Sequence, residues 1–311
     1  MEISIIIPTF NGKGLLADCL GSIAKLGFSP DEVIVVDNGS TDGSINLVKK
    51  KFPHFKIITL DKNYGFAKAV NEGIRASESE YVVLLNNDCK VESNWLGSLV
   101  EAAQDNPKIT IFASNILSWD GRKIDSQGIK FQWKGKAEQI NQGEKYQPSA
   151  IRHKPSAIFG VCAAAALYKR DVFDKIGYFD EDFFAYLEDV DFSFRAQLAG
   201  EKCLFVPSAI VYHQGGATRI KMGNFKAQMD TKNWIFLIIK NYPIKYLFKY
   251  FFQIFIERLR NFNGLLKQTS LTELPKSILQ TYSEVLIKLP RMIGKRHRIQ
   301  KLVKVKDNYP E

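Results

Sequence analysis

Short apolar runs alternate with amphipathic segments along the first 90 residues of the chain. The segments between the runs, at about residues 15–26, 44–51 and 67–76, repeat apolar residues at the spacing of one helix face. Helices between consecutive buried strands imply that those strands are parallel. The pattern therefore predicts an α/β fold with a mostly parallel sheet flanked by helices. Its first four strands are predicted at Ile3–Ile7, Val33–Val36, Lys56–Leu60 and Tyr81–Leu85.

Later segments of the chain have a weaker periodicity. Residues 111–158 mix aromatic, β-branched and glycine residues, which predicts a meander of short strands. Helices are predicted over Asp171–Ile176 and from Glu188 to about residue 199, and a late strand is predicted over Val206–Val211. Asp191, in the first turn of the second helix, is predicted to be a surface or capping residue, because acidic side chains are favourable there.

Polar residues follow the predicted strands at the point where each strand ends. Pro8–Gly12 follows the first strand, Asp37–Ser40 the second, Asp61–Gly65 the third and Asn86–Asp88 the fourth. Such residues are common in turns, but four clusters at one edge are more than turns require. Ligands bind beyond the carboxyl ends of parallel strands. This edge is therefore the predicted binding site.

The positive charge of the chain is concentrated at its C-terminal end. Residues 219–311 hold 19 of the 43 Lys and Arg residues but only 6 of the 33 Asp and Glu residues. Within them, residues 232–260 are rich in aromatic and aliphatic side chains interspersed with Lys, and Pro243 separates two predicted helices. This composition is typical of a helical segment on an anionic membrane surface. Packing against the rest of the chain, or against a second copy in a homodimer, explains it equally well.

The overall composition excludes several classes of protein. The 311 residues are 45% hydrophobic and 24% charged, which is ordinary for a globular chain. Four widely spaced cysteines favour neither a disulfide framework nor a zinc cluster and suit a reducing compartment. No signal peptide is recognised, and charged residues interrupt the apolar stretches before the roughly 20 residues of a membrane span. No helix-turn-helix, RNP or zinc-finger pattern supports nucleic-acid binding.

Six short segments form an ordered set of motifs: Ser4–Gly12, Val35–Ser44, Asn63–Ala67, Leu84–Asp88, Glu188–Phe192 and His213–Gly216. Together they resemble family 2 glycosyltransferases of the GT-A fold, and within that family the rhamnosyltransferase-type branch that builds bacterial surface polysaccharides. The resemblance covers roughly residues 1–220. It implies a catalytic domain over residues 1–218, followed by a basic, aromatic-rich helical extension over residues 219–311. It also implies inverting transfer of a sugar from a nucleotide-diphosphate donor.

The resemblance assigns the nucleotide-sugar site to the ends of the strands. Asp37 is expected to accept a hydrogen bond from the base, and UDP or dTDP is the expected nucleotide. The other residues expected to bind the nucleotide sugar are Pro8, Thr9, Asn11, Asn63, Gly65, Phe66, Asn86 and Asn87. Glu188 and Gly160 are expected to contact the sugar of the donor or the acceptor.

The resemblance also implies a divalent cation, Mg²⁺ or Mn²⁺, that offsets the charge of the departing diphosphate. The family's Asp-x-Asp pattern corresponds here to Asn86-Asn87-Asp88, so Asp88 is the expected metal ligand. The asparagine at the first position lowers the local negative charge. His213, after the late strand, is the expected second ligand.

Asp189 is the expected general base. Inversion is a single in-line displacement, which needs a carboxylate near the acceptor hydroxyl. Glu188 and Asp189 are adjacent and therefore point about 100° apart on a helix. The family's motif gives the role of base to the aspartate of this pair.

The sequence therefore predicts an inverting glycosyltransferase, peripheral at the cytoplasmic face of the cell membrane, that acts on a glycan or lipid-linked glycan. A nucleotidyltransferase is one alternative, although the loop after the first strand lacks the Gly-rich basic pattern of such enzymes. A non-catalytic nucleotide-sugar or glycan-binding module is the other. Asn86 favours that module, whereas Asp88 and Asp189 argue against it. A dehydrogenase is disfavoured because no GxGxxG follows the first strand.

Overall fold

The computed structural model describes residues 1–148, 154–215 and 224–304. Its strands are β1 (Ile3–Thr9), β2 (Glu32–Asp37), β3 (Lys56–Thr59), β4 (Tyr81–Leu85), β5 (Cys89–Val91), β6 (Ile111–Ser118), β7 (Ile124–Ser126), β8 (Ile129–Gln132), β9 (Lys136–Gln139), β10 (Ser156–Ile158), β11 (Ala165–Lys169) and β12 (Cys203–His213). Its helices are α1 (Lys13–Ile23), α2 (Ser44–Lys51), α3 (Phe66–Ala76), α4 (Trp95–Asp105), α5 (Asp171–Ile176), α6 (Glu188–Leu198), α7 (Phe225–Asn241), α8 (Ile244–Lys249), α9 (Phe251–Gln268) and α10 (Leu274–Gln300). A short 3₁₀ helix, Glu181–Phe183, precedes α6.

A ten-stranded sheet forms the centre of the described part of the chain. Its main order is β10-β12-β6-β11-β4-β1-β2-β3, with β5 paired to β12 and β7 to β6. Strands β3, β2, β1 and β4 are parallel to one another. Strand β11 runs antiparallel between β4 and β6, and β12 is parallel to β6. The predicted α/β fold with a mostly parallel sheet is confirmed.

Helices cover both faces of the sheet, which explains the unbroken apolar runs in its central strands. Every residue of β1 and β4 is buried. One face packs against α1 and α4, and the other packs against α3, α5 and α6. Strand β3 lies at the sheet edge, and none of its four residues is fully buried.

The C-terminal helices pack onto the sheet domain through a third apolar cluster. Phe194 on α6 and Phe131 on β8 share this cluster with Trp234 on α7 and Met292 on α10. Pro243 separates α7 from α8, as predicted. The predicted boundary between residues 218 and 219 lies within residues 216–223, outside the described residues. The division into two domains therefore stays a prediction.

Two properties of the C-terminal helices bear on what they bind. Across residues 1–148, 154–215 and 224–304, no helix combines the length and the apolar character that crossing a bilayer requires. Helices α8 and α9 nevertheless expose large apolar side chains to solvent. We call four of them the aromatic face: Phe248, Phe251, Phe252 and Phe255, which are 77%, 60%, 76% and 53% exposed.

Asp191 is buried, so its prediction as a surface or capping residue is wrong. Its side chain is fully excluded from solvent. Oδ2 accepts a hydrogen bond from Arg195 Nε at 3.0 Å, and Oδ1 lies 2.8 Å from Lys240 Nζ and accepts from Asn241 Nδ2 at 2.8 Å. The prediction failed because α7, far along the chain, covers this turn of α6 and supplies the cation.

Candidate active site

A cleft of about 1180 Å³ lies at the predicted edge of the sheet. Eleven of the residues predicted from the sequence line it: Pro8, Thr9, Asn63, Gly65, Phe66, Asn86, Asn87, Asp88, Glu188, Asp189 and His213. They come from the ends of β1, β4 and β12, the loop before α3 and the start of α6. The tertiary structure thus brings together residues up to 205 positions apart in the sequence.

The loops that follow β1 to β4 at the cleft are held by asparagine side chains. Asn38 Nδ2 donates to Asn63 Oδ1 and to the Gly65 carbonyl, both at 3.0 Å, and Asn38 Oδ1 accepts from Tyr64 N–H at 2.9 Å. Asn87 Nδ2 donates to Thr9 Oγ1 at 2.9 Å. These bonds fix the loops after β1, β2, β3 and β4 relative to one another. Asn38 lines the cleft but was not singled out from the sequence.

Three other predicted residues do not line the cleft. Asp37 is 2% exposed, and its Oδ1 accepts a hydrogen bond from Ser40 N–H at 3.1 Å. Asn11 ties the loop after β1 to the loop after β2, because its Oδ1 accepts from Thr41 N–H at 2.8 Å. Gly160 lies against α6, where an added Cβ would come within 2.4 Å of the Ser193 side chain. Gly160 therefore has a packing role in this structure.

Gly65 is required by a close approach of two loops. It has a φ of +88°, and an added Cβ would lie 2.4 Å from the carbonyl oxygen of Phe184. Only glycine tolerates both the left-handed conformation and this distance. The loop before α3 thereby contacts the segment that leads into α6.

An acid–histidine–acid arrangement links β4, β7 and β12. His213 Nε2 lies 3.2 Å from Asp88 Oδ1, and His213 Nδ1 lies 2.7 Å from Asp125 Oδ2. Burial by itself lowers the pKa of His213, but its hydrogen bonds with Asp125 and Asp88 outweigh burial and raise that pKa to about 10. The site thus strongly favours positive charge between its two carboxylates.

Asp88 and His213 have the donor atoms of a metal site, and their ligand atoms converge together with the Cys89 thiol within 4.8 Å. Burial raises the pKa of Cys89 well above its usual value, which keeps that thiol neutral and a poor ligand. Asp125 holds the Nδ1 proton of the ring, so a divalent cation would take the place of the Nε2 proton that now lies between His213 and Asp88. The residues present therefore fit a divalent ion held by Asp88 and His213.

Glu188 and Asp189 begin α6 at the wall of the cleft. Burial raises the pKa of Asp189 to about 6, against hydrogen bonds from Val190 N–H at 2.8 Å and Ala163 N–H at 3.4 Å. The pKa of Glu188 is raised well above its usual value, first by burial and then by the charge of Asp189. Glu188 Oε2 has no hydrogen-bond partner among the described residues. Burial and mutual repulsion thus disfavour two charges on this pair, and the backbone hydrogen bonds to Asp189 favour the ionised form of that residue.

Among the lining residues that were not identified from the sequence, three charged side chains bear on the chemistry of the cleft. Asp125 has no motif around it, because its role depends on the strand pairing of β6 with β7. Lys226 and Asp230 come from α7 and form an ion pair at 2.7 Å. Lys226 places an ammonium group in a cleft that is also lined by the carboxyl groups of Asp88, Glu188 and Asp189. Only the general basic character of residues 219–311 pointed toward it.

The chain matches the family model described as Glycosyl transferase family 2 over residues 4–177. It is 27% identical over 212 residues to the poly-beta-1,6-N-acetyl-D-glucosamine synthase of Staphylococcus epidermidis, a match that covers 68% of this chain and 49% of that protein. It is 25% identical to the N-acetylglucosaminyl-diphospho-decaprenol L-rhamnosyltransferase of Mycobacterium tuberculosis, over 75% of this chain and 83% of that protein. The chain thus spans about half the length of the first of these relatives.

The three-dimensional structure is similar to a crystal structure of GalNAc-T7 with UDP, GalNAc and Mn²⁺. The TM-score is 0.64 at 18% sequence identity, and the match covers 94% of this chain and 57% of that chain. A likeness at this level of identity shows the fold alone. Together with the mostly parallel sheet, it confirms the expected GT-A architecture.

Proposed function

The chain belongs to glycosyl transferase family 2, and from that premise we propose that it transfers a sugar from a nucleotide-diphosphate sugar to a glycan acceptor with inversion. The observation that carries the proposal is the convergence in one cleft of Asp189, the Asp88–His213 pair and the loops held by Asn38. In the proposed reaction Asp189 is the base, the Asp88–His213 pair holds the cation that offsets the charge of the leaving diphosphate, and the loops bind the nucleotide.

The nucleotide site is proposed at the ends of β1, β2 and β4. Thr9, Asn63, Gly65 and Asn87 line the cleft on loops that hydrogen bonds hold in place. A site already fixed before binding loses little freedom when the nucleotide binds. Asp37 stays the proposed reader of the base: the Ser40 N–H occupies one acceptor site of its carboxylate, and binding of the base requires the 2%-exposed side chain to become accessible. Uracil and thymine offer the same imide N–H, so UDP- and dTDP-sugars are the proposed donors.

The metal site is proposed at Asp88 and His213, with Asp125 orienting the imidazole. A divalent cation bound there neutralises charge on the departing diphosphate. Mg²⁺ takes almost only oxygen ligands, so the imidazole favours Mn²⁺. The solved relative GalNAc-T7 contains Mn²⁺ together with UDP.

Asp189 is the proposed base. Its carboxylate takes the proton of the acceptor hydroxyl while that oxygen bonds to the anomeric carbon. The bond from the anomeric carbon to the diphosphate oxygen breaks, and the nucleoside diphosphate leaves with the electron pair. Glu188 is proposed to remain protonated, so that it donates a hydrogen bond to a sugar hydroxyl. A second carboxylate charge at this wall would oppose the approach of a diphosphate.

The acceptor is proposed to be a growing surface polysaccharide on a lipid carrier at the cytoplasmic face of the membrane. Relatives named as a polysaccharide synthase and as a transferase to a lipid diphosphate support this class of acceptor. The aromatic face lies beside the exposed Lys245 and Lys249. Apolar side chains flanked by cations suit the surface of an anionic bilayer. This surface is therefore proposed to hold the enzyme near its acceptor.

The test is incubation of the full chain with UDP-, dTDP- and GDP-sugars, Mn²⁺ and glycan or lipid-linked glycan acceptors. Release of nucleoside diphosphate that depends on the acceptor, with a product of inverted anomeric configuration, is expected. Formation of a nucleotide sugar from a nucleoside triphosphate and a sugar phosphate would instead identify a nucleotidyltransferase. Nucleotide-sugar binding without turnover on any acceptor would identify a non-catalytic module.

A further inference from the structure

The segment that leads into the proposed base has a strained backbone. Phe184, Tyr186 and Leu187 have φ values of +65°, +68° and +66°, although none is glycine. Side chains larger than hydrogen are disfavoured at positive φ because Cβ crowds the backbone. Three such residues within four positions persist only where the surrounding structure holds them.

One side chain of α7 holds this segment. Asn233 is fully buried, and its Nδ2 donates to the carbonyl oxygens of Phe183 at 3.0 Å, Ala185 at 2.9 Å and Tyr186 at 2.7 Å. The amide group has two hydrogens for three acceptors. Its Oδ1 has no hydrogen-bond partner among the described residues. All the side-chain hydrogen bonds described for Asn233 therefore go to this one segment.

The segment connects the two halves of the proposed reaction. On one side its Phe184 carbonyl accepts from Ala67 N–H at 3.3 Å and lies against Gly65, in the loop before α3. On the other side the Leu187 carbonyl accepts from Asp191 N–H at 2.9 Å in the first turn of α6. Glu188 and Asp189 lie within that turn. The conformation of residues 184–187 therefore determines the position of Asp189, the proposed base, relative to the proposed donor site at Gly65.

We propose that Asn233 is a positioning residue for this reaction, which rests on the function proposed above. By holding three carbonyls, it keeps residues 184–187 in their strained conformation and thereby aims Asp189 at the acceptor hydroxyl. A displacement of about 1 Å in such a group can cost on the order of 10²-fold in rate. The C-terminal helices are on this view part of the active-site architecture.

The test compares Asn233→Asp and Asn233→Ala with Thr231→Val. Asn233→Asp keeps the shape but places acceptors against three carbonyls, and Asn233→Ala removes the donor without adding a charge. Thr231 is a buried neighbour on α7 whose hydroxyl bonds within the helix to the Ala227 carbonyl at 2.8 Å, so Thr231→Val is a matched control. Hydrogen–deuterium exchange over residues 183–190, UDP affinity and the separate kcat and KM values are measured.

Faster exchange over residues 183–190 is expected for both Asn233 variants and not for Thr231→Val. The kcat should fall at least about tenfold, while UDP affinity and donor KM change less than about threefold. Unchanged exchange at this segment in Asn233→Ala, or an equal loss of kcat in Thr231→Val, would overturn the proposal. The exchange measurement needs no turnover. A wild-type chain without transferase activity would therefore refute the proposed function. The exchange result would still show whether Asn233 holds residues 184–187 in place.

Discussion

Glu188 and Asp189 are neighbours in sequence, yet their surroundings favour the ionised form to different degrees. Burial raises the pKa of both groups, but Asp189 also accepts backbone hydrogen bonds that favour its ionised form. Glu188 Oε2 has no hydrogen-bond partner among the described residues, so less in its surroundings favours the ionised form. Two carboxyl groups with separated pKa values allow an ionised base and a neutral hydrogen-bond donor to coexist.

Asp189→Asn should lower turnover by on the order of 10²–10⁴-fold, because the amide cannot accept the acceptor proton. Glu188→Gln is the matched control, because the amide imitates the neutral carboxyl group, and it should keep at least about a third of wild-type turnover. Nucleoside diphosphate binding, measured by calorimetry, should be unchanged in both. Equal losses of turnover in the two variants would contradict the division of roles.

The pH dependence of kcat/KM should report the ionisation of Asp189. Because the base must be deprotonated and its pKa is about 6, kcat/KM should fall about tenfold per pH unit below pH 6 and level off above about pH 7. Glu188 is a second titratable carboxyl group and Lys226 is a cation that lowers the pKa of Asp189, so the profile is repeated with Glu188→Gln and Lys226→Met. Saturating Mn²⁺ keeps His213 out of the titration. A profile that is flat from pH 5 to 8 would argue against this base.

At the scale of elements, helix α6 is anchored by a buried ionic cluster that joins it to α7 and α10. Lys240 is 1% exposed and contacts both Asp180 and Asp191, and Lys295 contacts Asp180 and Asp182. Burial tends to raise the pKa of Asp180 and Asp191, but their cations outweigh it and lower both values. The stability gained from these carboxylates is therefore present above about pH 4 and is lost as pH falls.

Lys240→Met should destabilise the fold by about 3–5 kcal/mol, because it leaves the buried carboxylates of Asp180 and Asp191 without their shared cation. Lys56→Met is the control for a surface pair. Lys56 lies 3.1 Å from Glu32, with both side chains at least 30% exposed, and its loss should cost no more than about 1 kcal/mol. Urea unfolding at pH 7 measures both. A cost for Lys240→Met no greater than that for Lys56→Met would show that the cluster contributes no net stability.

At the scale of the whole molecule, the C-terminal helices present two different surfaces. The inner surface supplies Asn233, Lys240 and the apolar cluster that covers α6. The outer surface of α8 and α9 is the aromatic face. The two explanations left open by the sequence, packing against the chain and binding a surface, thus belong to different sides of the same helices. Packing is observed, and surface binding is a proposal.

The double variant Phe248→Ser/Phe252→Ser should bind anionic vesicles at least about tenfold more weakly than wild type, since a fully buried Phe contributes about 1.5–3 kcal/mol. Phe28→Ser, at an exposed Phe outside the C-terminal helices, should bind like wild type. Co-sedimentation at low and high salt is the measurement, and binding should weaken with salt because lysines contribute. No vesicle binding by the wild-type chain, with a dimer in ultracentrifugation, would assign the aromatic face to a second copy.

The sequence by itself determined the parallel strands β1 to β4, their direction and eleven of the residues that line the cleft. Unbroken aliphatic runs such as Val33–Val36 are stable only when buried, and the turns that follow such parallel strands must meet at one edge of the sheet. The local pattern of apolar and polar residues is therefore enough to predict these strands and the polar residues at their ends.

The tertiary structure alone decided features that depend on distant partners. Asp191 is buried because Lys240 comes from another helix, Asp125 meets His213 only when β6 pairs with β7, and Asn233 bonds a segment about 50 residues earlier. The sequence shows which residues are charged or polar, but it does not show which partner each of them contacts in the folded chain. For a buried charge or a buried amide group, the free energy of burial depends on the partner that the fold supplies and not on the residue alone.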